Sequence, residues 1–412
     1  MILMTAAEVA EASAGTSSIM AGIGSKILSV LLFLVIFCIV VISHEFGHFL
    51  IAKANGIRVL EFYVGFGPKL IHWKKGETEY SIRLLPLGGA CVFEGMDAAS
   101  MAERTEKKSL KENAEAGFDS DEQDTKVSVG KYDTEDDVES QKDDSGSFLK
   151  ASVWSRFATI VAGPLFNIVL GFIFAFIMVC NIAIRDPIAT EVIENGAAQM
   201  AGIEAGDRLI SLNGQKICLY EDIVLFNALY VGGEVEVVYE RNGERYTTTL
   251  VPLYDEEEQR YLIGINNKTF KEIHGVEYLE YTWYEMRYNL KMTYGSLWKL
   301  IRGKVKTTEI AGPVGVANVV NETVESTKEY GFGTVAVNML NIALMLTVNL
   351  GILNLLPIPA LDGGRLLFII IEMLRGKPVP PDKEAIVHFV GVIFFLILIV
   401  FVFFNDIKNV FF

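Results

Sequence analysis

The sequence is poor in cysteine, the residue that builds disulfide frameworks and many zinc sites. Its four cysteines, Cys38, Cys91, Cys180 and Cys218, lie far apart among 412 residues and form no CxxC pair. Cys38 and Cys180 lie inside apolar runs, where a thiol packs as a small hydrophobic group. The sequence therefore predicts neither a disulfide framework nor a cysteine zinc site.

Positive charge is also scarce: 36 Lys and Arg stand against 51 Asp and Glu, which gives a net charge of −15. A nucleic-acid partner is excluded, because binding it requires a basic face that neutralises phosphates. The chain has 36 glycines, yet neither GxGxxG nor GxxxxGK[ST] follows a predicted strand. No phosphate-binding glycine loop is therefore predicted.

The acidic residues are concentrated in one segment. Residues 97–144 hold 16 Asp and Glu against 7 Lys and Arg, so this segment carries −9 of the net charge. Residues 97–147 contain too few apolar side chains to bury a core and are predicted to be a disordered insert. A flexible cytoplasmic loop is the expectation, and a docking site for a basic partner is the alternative.

Long apolar runs, in contrast, are abundant, with 51% hydrophobic residues and a mean hydropathy of +0.34. A helix needs about 20 residues to cross about 30 Å of hydrocarbon. Four segments reach that length, at about residues 27–52, 157–184, 335–356 and 386–404. The first exceeds the apolar part of a signal peptide and lacks a cleavage site. We predict a polytopic α-helical membrane protein with about four transmembrane helices and the lipid bilayer as its surroundings.

Basic residues predict the orientation of these helices, because they accumulate on the cytoplasmic side. They follow the first segment, precede the second, and lie between the third and the fourth. The expected location is the inner (plasma) membrane, with residues 185–333 outside the cytoplasm.

The first apolar segment ends in His44-Glu45-Phe46-Gly47-His48. Residues four apart share a helix face, so both imidazoles can reach one metal ion. Glu45 lies beside them and can take a proton from water, which zinc makes more acidic. Ionisable groups are costly inside a membrane helix and by default mark a function. The alternative is that the three groups lie solvated at the interface.

Catalytic zinc usually has three protein ligands, and the candidate third ligand follows the third apolar segment. The run NLLPIPALDGG spans residues 354–364, and Pro357 and Pro359 should end the helix there. Asp362 can then turn inward as a ligand, or it can cap the helix that follows. The residues alone leave both readings open.

HEFGH in a first transmembrane helix, with NLLPIPALDGG in a later one, resembles the site-2 protease family of intramembrane zinc metalloproteases, and the bacterial regulator-of-sigma-E branch in particular. VGFGPKL and YSIRLLPLGGACVF resemble that family's membrane-associated β-hairpin region. FLKASVWSRFATIVAGPLFN resembles the entry to its second helix, and GPVGVANVV the stretch before its third. The sequence departs from the family in the acidic insert and at Ala90, where relatives often carry an aromatic residue.

The resemblance implies one zinc ion held by His44, His48 and Asp362, with Glu45 as the general base. It also implies that Asn354 holds the substrate backbone. In the hairpin region we predict that Gly65, Gly67 and Ile82 bind substrate. An extended substrate could add as a strand to an edge supplied by residues 78–85.

Residues 189–252 turn polar and resemble a bacterial PDZ domain of α+β type, with a hairpin turning at Asn242-Gly243. This extracytoplasmic domain could bind peptides, or it could act as a steric filter for trimmed substrates. Between residues 270 and 302, aromatic residues recur at helical spacing. They suit either an amphipathic helix at the membrane interface or a helix packed on the PDZ domain.

We therefore divide the chain as follows: N-terminal segment 1–25, helix 26–52, cytoplasmic β region 53–96, insert 97–147, helix 148–185, PDZ domain 186–269, amphipathic region 270–333, helix 334–364, cytoplasmic connection 365–385 and helix 386–408.

The predicted function is an intramembrane zinc endopeptidase of regulated proteolysis. Its substrates would be single-pass transmembrane segments trimmed by an upstream site-1-type protease, such as anti-sigma factors or signal-peptide remnants. A catalytically inactive PDZ scaffold and a metal transporter are the competing hypotheses.

Overall fold

The computed structural model describes residues 6–96, 146–256, 260–305 and 312–411. The predicted acidic insert lies, up to residue 145, outside the described residues. The helices are α1 (Ala6–Ala54), α2 (Val153–Val179), α3 (Ala197–Met200), α4 (Tyr220–Leu229), α5 (Glu277–Ile301), α6 (Pro313–Thr327), α7 (Phe332–Leu355), α8 (Asp362–Arg375) and α9 (Pro381–Phe411). The strands are β1 (Val59–Lys75), β2 (Thr78–Phe93), β3 (Glu191–Val192), β4 (Arg208–Leu212), β5 (Gln215–Lys216), β6 (Val235–Arg241), β7 (Glu244–Leu250), β8 (Leu253–Asp255), β9 (Arg260–Leu262) and β10 (Ile265–Asn266).

Within the described residues, four helical stretches are long and apolar enough to cross a membrane. They are Ile27–Ala54, Val153–Val179, Phe332–Leu355 and Asp382–Lys408, close to the four predicted segments. Helix α7 ends at Leu355, two residues before Pro357, because proline cannot continue the hydrogen-bond ladder. Helix α1 begins earlier than its predicted apolar segment, at Ala6.

The chain forms two compact units. The first comprises residues up to 40, residues 167–353 and residues from 394 onward; the second comprises residues 41–166 and 354–393. All eight residues predicted for catalysis, metal binding or substrate binding belong to the second unit.

In the second unit, β1 and β2 form a long, bent hairpin. Residues 61–64 of β1 lie between two segments of β2 and pair with both of them. These segments are residues 79–82 and residues 89–92. Ile82 pairs with both Val64 and Ile71. The prediction that residues 78–85 offer an open edge is therefore wrong at residues 79–82, since partners already flank them on both sides. Sequence alternation could not reveal this because it does not record how a strand folds back on its partner.

An apolar core holds the second unit together beneath the hairpin. It combines residues from the end of α1, both hairpin strands, the segments that precede β1 and α2, α2 itself and α8, namely Ala52, Ile57, Val59, Phe93, Phe148, Ile160, Leu366 and Ile369. Arg156 of α2 donates two hydrogen bonds to the carboxylate of Glu372 in α8, at 2.6 and 3.0 Å, and both side chains are buried. A buried, bidentate pair of this kind is directional, so it fixes the position of α8 on α2.

The first unit contains an α+β domain built on the sheet β5-β4-β6-β7. Strands β6 and β7 form the predicted hairpin, in which Asn242 and Gly243 have positive φ values of 54° and 85°. An Asn-Gly pair suits this turn because both central residues need the left-handed region. The domain core packs beneath α4 and includes Leu209, Leu212, Ile223, Val235, Val237 and Ile263.

Helix α5 carries the aromatic residues predicted at helical spacing. One face is buried and includes Tyr281, Met286 and Asn289, and Met286 packs with Leu344 and Val348 of α7. Trp283, Tyr294 and Trp298 remain more than half exposed on the helix. The helix thus packs on apolar neighbours along one face and leaves large aromatic rings outside.

Also in the first unit, Asp406 of α9 accepts hydrogen bonds from the backbone N–H groups of Gly312, Val314 and Gly315, at 2.8–3.0 Å. These groups belong to the start of α6, whose N–H groups have no partner within the helix. Asp406 is 1% exposed. It therefore caps α6 from a distant part of the sequence.

We expect Asp406→Ala to lower the free energy of unfolding by about 1–2 kcal/mol, because the substitution leaves three backbone donors without an acceptor. Thermal unfolding of the purified protein in detergent measures the effect. Asp382→Ala, at an exposed position in the first turn of α9, is the matched control and should change little. Equal stability of the two variants would contradict the capping role.

Candidate metal centre

The site begins with the two histidines of HEFGH, which α1 places on one face. His44 and His48 are 7% and 5% exposed, and their Nε2 atoms lie 3.3 Å apart. Spacing by four residues brings the two imidazoles to successive turns of the same helix face. The predicted pairing of the two side chains is thus present in the structure.

Helix α2 fixes the orientation of His48. The Nδ1–H group of this ring donates a hydrogen bond of 2.8 Å to the carbonyl oxygen of Thr159, which leaves Nε2 free to act as a ligand atom. Gly163, one turn further along α2, has no side chain to obstruct the ring, and a Cβ there would lie 2.3 Å from His48 Nε2. Neither Thr159 nor Gly163 can be identified from the sequence, because a backbone carbonyl and a glycine in a transmembrane helix carry no sequence signal.

The loop after α7 delivers Asp362 to the two histidines. Asp362 begins α8 and makes no side-chain cap for that helix, whose N-cap residue is Leu361. Its Oδ2 atom lies 3.0 Å from Nε2 of His44 and 3.1 Å from Nε2 of His48. The sequence left two orientations open for Asp362. In the structure its side chain turns inward, toward the two histidines.

The three side chains form a donor set of two imidazole nitrogens and one carboxylate oxygen, which could hold a metal ion. Zinc accepts such ligands at about 2.0–2.2 Å, and tetrahedral geometry then places the donor atoms about 3.3–3.5 Å apart. The observed separations of 3.0–3.3 Å are close to this spacing. Two imidazoles and a carboxylate oxygen that converge in this way fit a zinc ion.

Glu45 is half-buried and lies beside strand β2. The backbone of Cys91 is among the groups that act on the Glu45 carboxylate. A Cβ on Gly89 would lie 3.4 Å from Cγ of Glu45 and 2.8 Å from the carbonyl oxygen of Tyr63. Burial raises the pKa of the Cys91 thiol well above its usual range, so this thiol is neutral and a poor metal ligand.

Of the four residues predicted to bind substrate, Asn354 lies beside the donor set, and the other three belong to the β1–β2 hairpin. Asn354 Nδ2 lies 3.3 Å from His44 Nε2. Gly65 and Gly67 belong to the irregular part of β1, with φ values of 91° and 92°. A Cβ at Gly65 would lie 2.6 Å from the carbonyl oxygen of Leu85, so this glycine allows β1 to approach β2. Ile82 lies inside the hairpin sheet, as described above.

Four apolar helices and a His-His-Asp group with two buried histidines are the features expected of an intramembrane metalloprotease, and the comparison with known families agrees. Residues 32–398 match the model of peptidase family M50, and the chain belongs to that family. The resemblance to site-2 proteases is thus confirmed.

Curated relatives match over nearly their whole length. The regulator of sigma-W protease RasP of Bacillus subtilis (strain 168) is 31% identical over 93% of this chain and 99% of its own. The zinc metalloprotease RasP of Geobacillus kaustophilus is 32% identical over 93% of this chain and 98% of its own. A putative zinc metalloprotease of Clostridium acetobutylicum is 31% identical over 90% of this chain and 95% of its own.

This chain is accordingly an intramembrane zinc metalloprotease. The prediction of a hydrolase that uses zinc is confirmed, and the hypotheses of an inactive scaffold and of a metal transporter lose their support.

If the donor set holds the zinc ion, we expect Gly163→Ala to weaken zinc binding about 10-fold or more, because the new methyl group displaces the His48 ring from the donor set. The zinc retained against a series of chelator concentrations measures this. Gly333→Ala in α7 is the matched control, because a Cβ there meets no atom within 4 Å. A folded Gly163→Ala protein with unchanged zinc affinity would contradict the proposed packing.

Proposed function

We propose that His44, His48 and Asp362 are the zinc ligands and that Glu45 is the general base of an endopeptidase that cleaves single-pass transmembrane segments. One observation carries the proposal: a single carboxylate oxygen lies within 3.1 Å of the Nε2 atoms of both histidines. Three acceptor groups this close together in an apolar helix bundle repel one another unless they share a cation or a proton.

In this proposal each residue has a defined task. When bound, the zinc ion supplies Lewis-acid chemistry that polarises a peptide carbonyl and makes water more acidic. Glu45 accepts the proton of the attacking water and returns it to the leaving amine. Asn354 can donate a hydrogen bond from Nδ2 to the substrate backbone, which orients the scissile bond.

The substrate must be extended before it can react, because a helix keeps its carbonyl groups in hydrogen bonds. We infer that residues 89–92 of β2 supply the edge for an added strand. Their pairing partners, residues 61–64, lie on one side, and the described strands give them no second pairing partner. Glu45 lies near the same segment, since a Cβ on Gly89 would lie 3.4 Å from its Cγ. A strand added there would pass directly beside the general base. Gly65, Gly67 and Ile82 would then support the hairpin instead of pairing with substrate.

The name of the Bacillus subtilis relative, regulator of sigma-W protease, supports a regulatory substrate. We propose anti-sigma factors or signal-peptide remnants that an upstream site-1-type protease has already trimmed. The distribution of basic residues supports an active site near the cytoplasmic side of the inner (plasma) membrane.

Residues 186–269 would then form an extracytoplasmic PDZ domain. Its short helix α3, strand β4, helix α4 and the β6–β7 hairpin follow one another in an order that suits this fold. Peptide binding and steric filtering remain the two roles we propose for it, and a filter would admit only substrates with trimmed outer domains.

We expect Glu45→Gln to lower kcat by about 10²–10⁴-fold, because the amide cannot accept a proton, while zinc content stays at one ion per chain. Cleavage of a transmembrane peptide in detergent and metal analysis of the same preparation measure the two quantities. Glu194→Gln, at an exposed position, is the control. Wild-type cleavage by the Glu45 variant would rule out its role as general base.

We also expect Gly89→Ala to lower kcat by up to about 100-fold, because a Cβ forced against Tyr63 and Glu45 displaces the base. Zinc content should not change, since Gly89 approaches none of the three proposed ligands. Gly333→Ala again serves as the control. Loss of zinc from the Gly89 variant would indicate general misfolding and contradict a specific effect on Glu45.

A further inference from the structure

The loop that carries Asp362 has an unusual backbone. It runs from Leu356 to Leu361 between α7 and α8, and Ala360 has a φ of 74°. Residues other than glycine rarely adopt this left-handed conformation, and they do so where the surrounding structure holds them. Ala360 lies only two residues before Asp362, so its conformation sets the direction in which the carboxylate leaves the loop.

Helix α9 contacts the loop at this residue. Nδ1 of His388 accepts a hydrogen bond of 3.1 Å from the backbone N–H of Ala360. Since the amide is the donor, His388 must carry its own proton on Nε2. The His388 side chain is 17% exposed, and its ring lies 5.8 Å from that of Phe368 in α8.

The same face of α9 packs tightly on the preceding residue of the loop. Gly391 lies one turn after His388, and a Cβ there would lie 2.5 Å from Cβ of Pro359 and 2.8 Å from its carbonyl oxygen. The missing side chain lets α9 come close enough for the His388 ring to reach Ala360. Two successive turns of α9 therefore contact two successive residues of the loop.

We propose that His388 is a positioning residue for the metal centre: it holds Ala360 in its left-handed conformation and thereby aims Asp362 at the two histidines. The proposal rests on the proposed role of Asp362 as a zinc ligand. His388 itself coordinates nothing in this scheme. It contributes one acceptor atom, Nδ1, which α9 and α8 hold beside the N–H of Ala360. The loop alone would not keep Ala360 in this conformation.

The proposal predicts which side chains can replace His388. The Oδ1 atom of asparagine lies as many bonds from Cα as Nδ1 of histidine and can accept the same hydrogen bond. Glutamine carries its oxygen one bond further out, and leucine has no acceptor. Ala360 lies at an exposed position, and the loss of one hydrogen bond there costs little free energy of unfolding. Stability should therefore change little, while the geometry of Asp362 should change.

We expect His388→Gln and His388→Leu each to weaken zinc affinity about 10-fold or more, as loss of a group that orients a ligand does. His388→Asn should restore most of it. Chelator competition measures zinc affinity, and thermal unfolding of the metal-free protein, expected to be nearly equal in all three variants, measures stability. His274→Gln, an exposed histidine outside the second unit, is the matched control.

A second route tests the backbone conformation directly. Ala360→Gly in the His388→Leu background should recover part of the zinc affinity, because glycine reaches positive φ without support. Equal zinc affinity in the asparagine and glutamine variants would overturn the proposal, and so would a loss of zinc that merely parallels a loss of stability.

Asp362→Asn, measured alongside, separates this inference from the proposed function. If Asp362→Asn binds zinc as the wild type does, the ligand assignment fails. If that variant loses zinc while His388→Leu does not, only the positioning role fails.

Discussion

The convergence of one carboxylate oxygen and two imidazole nitrogens inside apolar helices is the constraint on which the active centre depends. Such groups are costly in a membrane unless they are paired or bind a cation. Asp362 lies within 3.1 Å of both His44 and His48, although more than 300 residues separate it from them. The second unit must therefore hold α1 and α8 at a fixed distance, and its core and its buried Arg156–Glu372 pair serve this purpose.

Helix α2 connects the parts of this arrangement. Its first turn carries Arg156, which binds α8. One turn later, the carbonyl oxygen of Thr159 receives the Nδ1–H of His48, and Gly163 leaves room for the same ring. A single helix thus fixes the orientation of one histidine and the position of the helix that begins with Asp362. A shift of α2 along its axis would disturb both, so the geometry of the donor set depends on a helix that contributes no ligand.

Much of the centre could be predicted from local sequence patterns. The spacing of His44 and His48, the end of α7 before Pro357 and the turn at Asn242-Gly243 each follow from rules that act within a few residues. The pairing of Ile82 on both sides could not be predicted, because it depends on how β2 folds back on β1. The cap on α6 from Asp406 also escaped prediction, because almost a hundred residues separate the two.

Glu45, the proposed general base, is held differently from the three proposed ligands, and the difference suits the proposed tasks. Ligands must stay fixed, and side-chain and helix contacts hold His48 and Asp362. A general base must exchange a proton, so a strong partner such as an arginine would bind its carboxylate and lower its basicity. The uncharged backbone of β2 lies beside the carboxylate at Cys91, and Gly89 has no side chain to keep the strand away from Glu45. In the proposed scheme a substrate that extends the sheet at β2 would reach the base without a separate binding element.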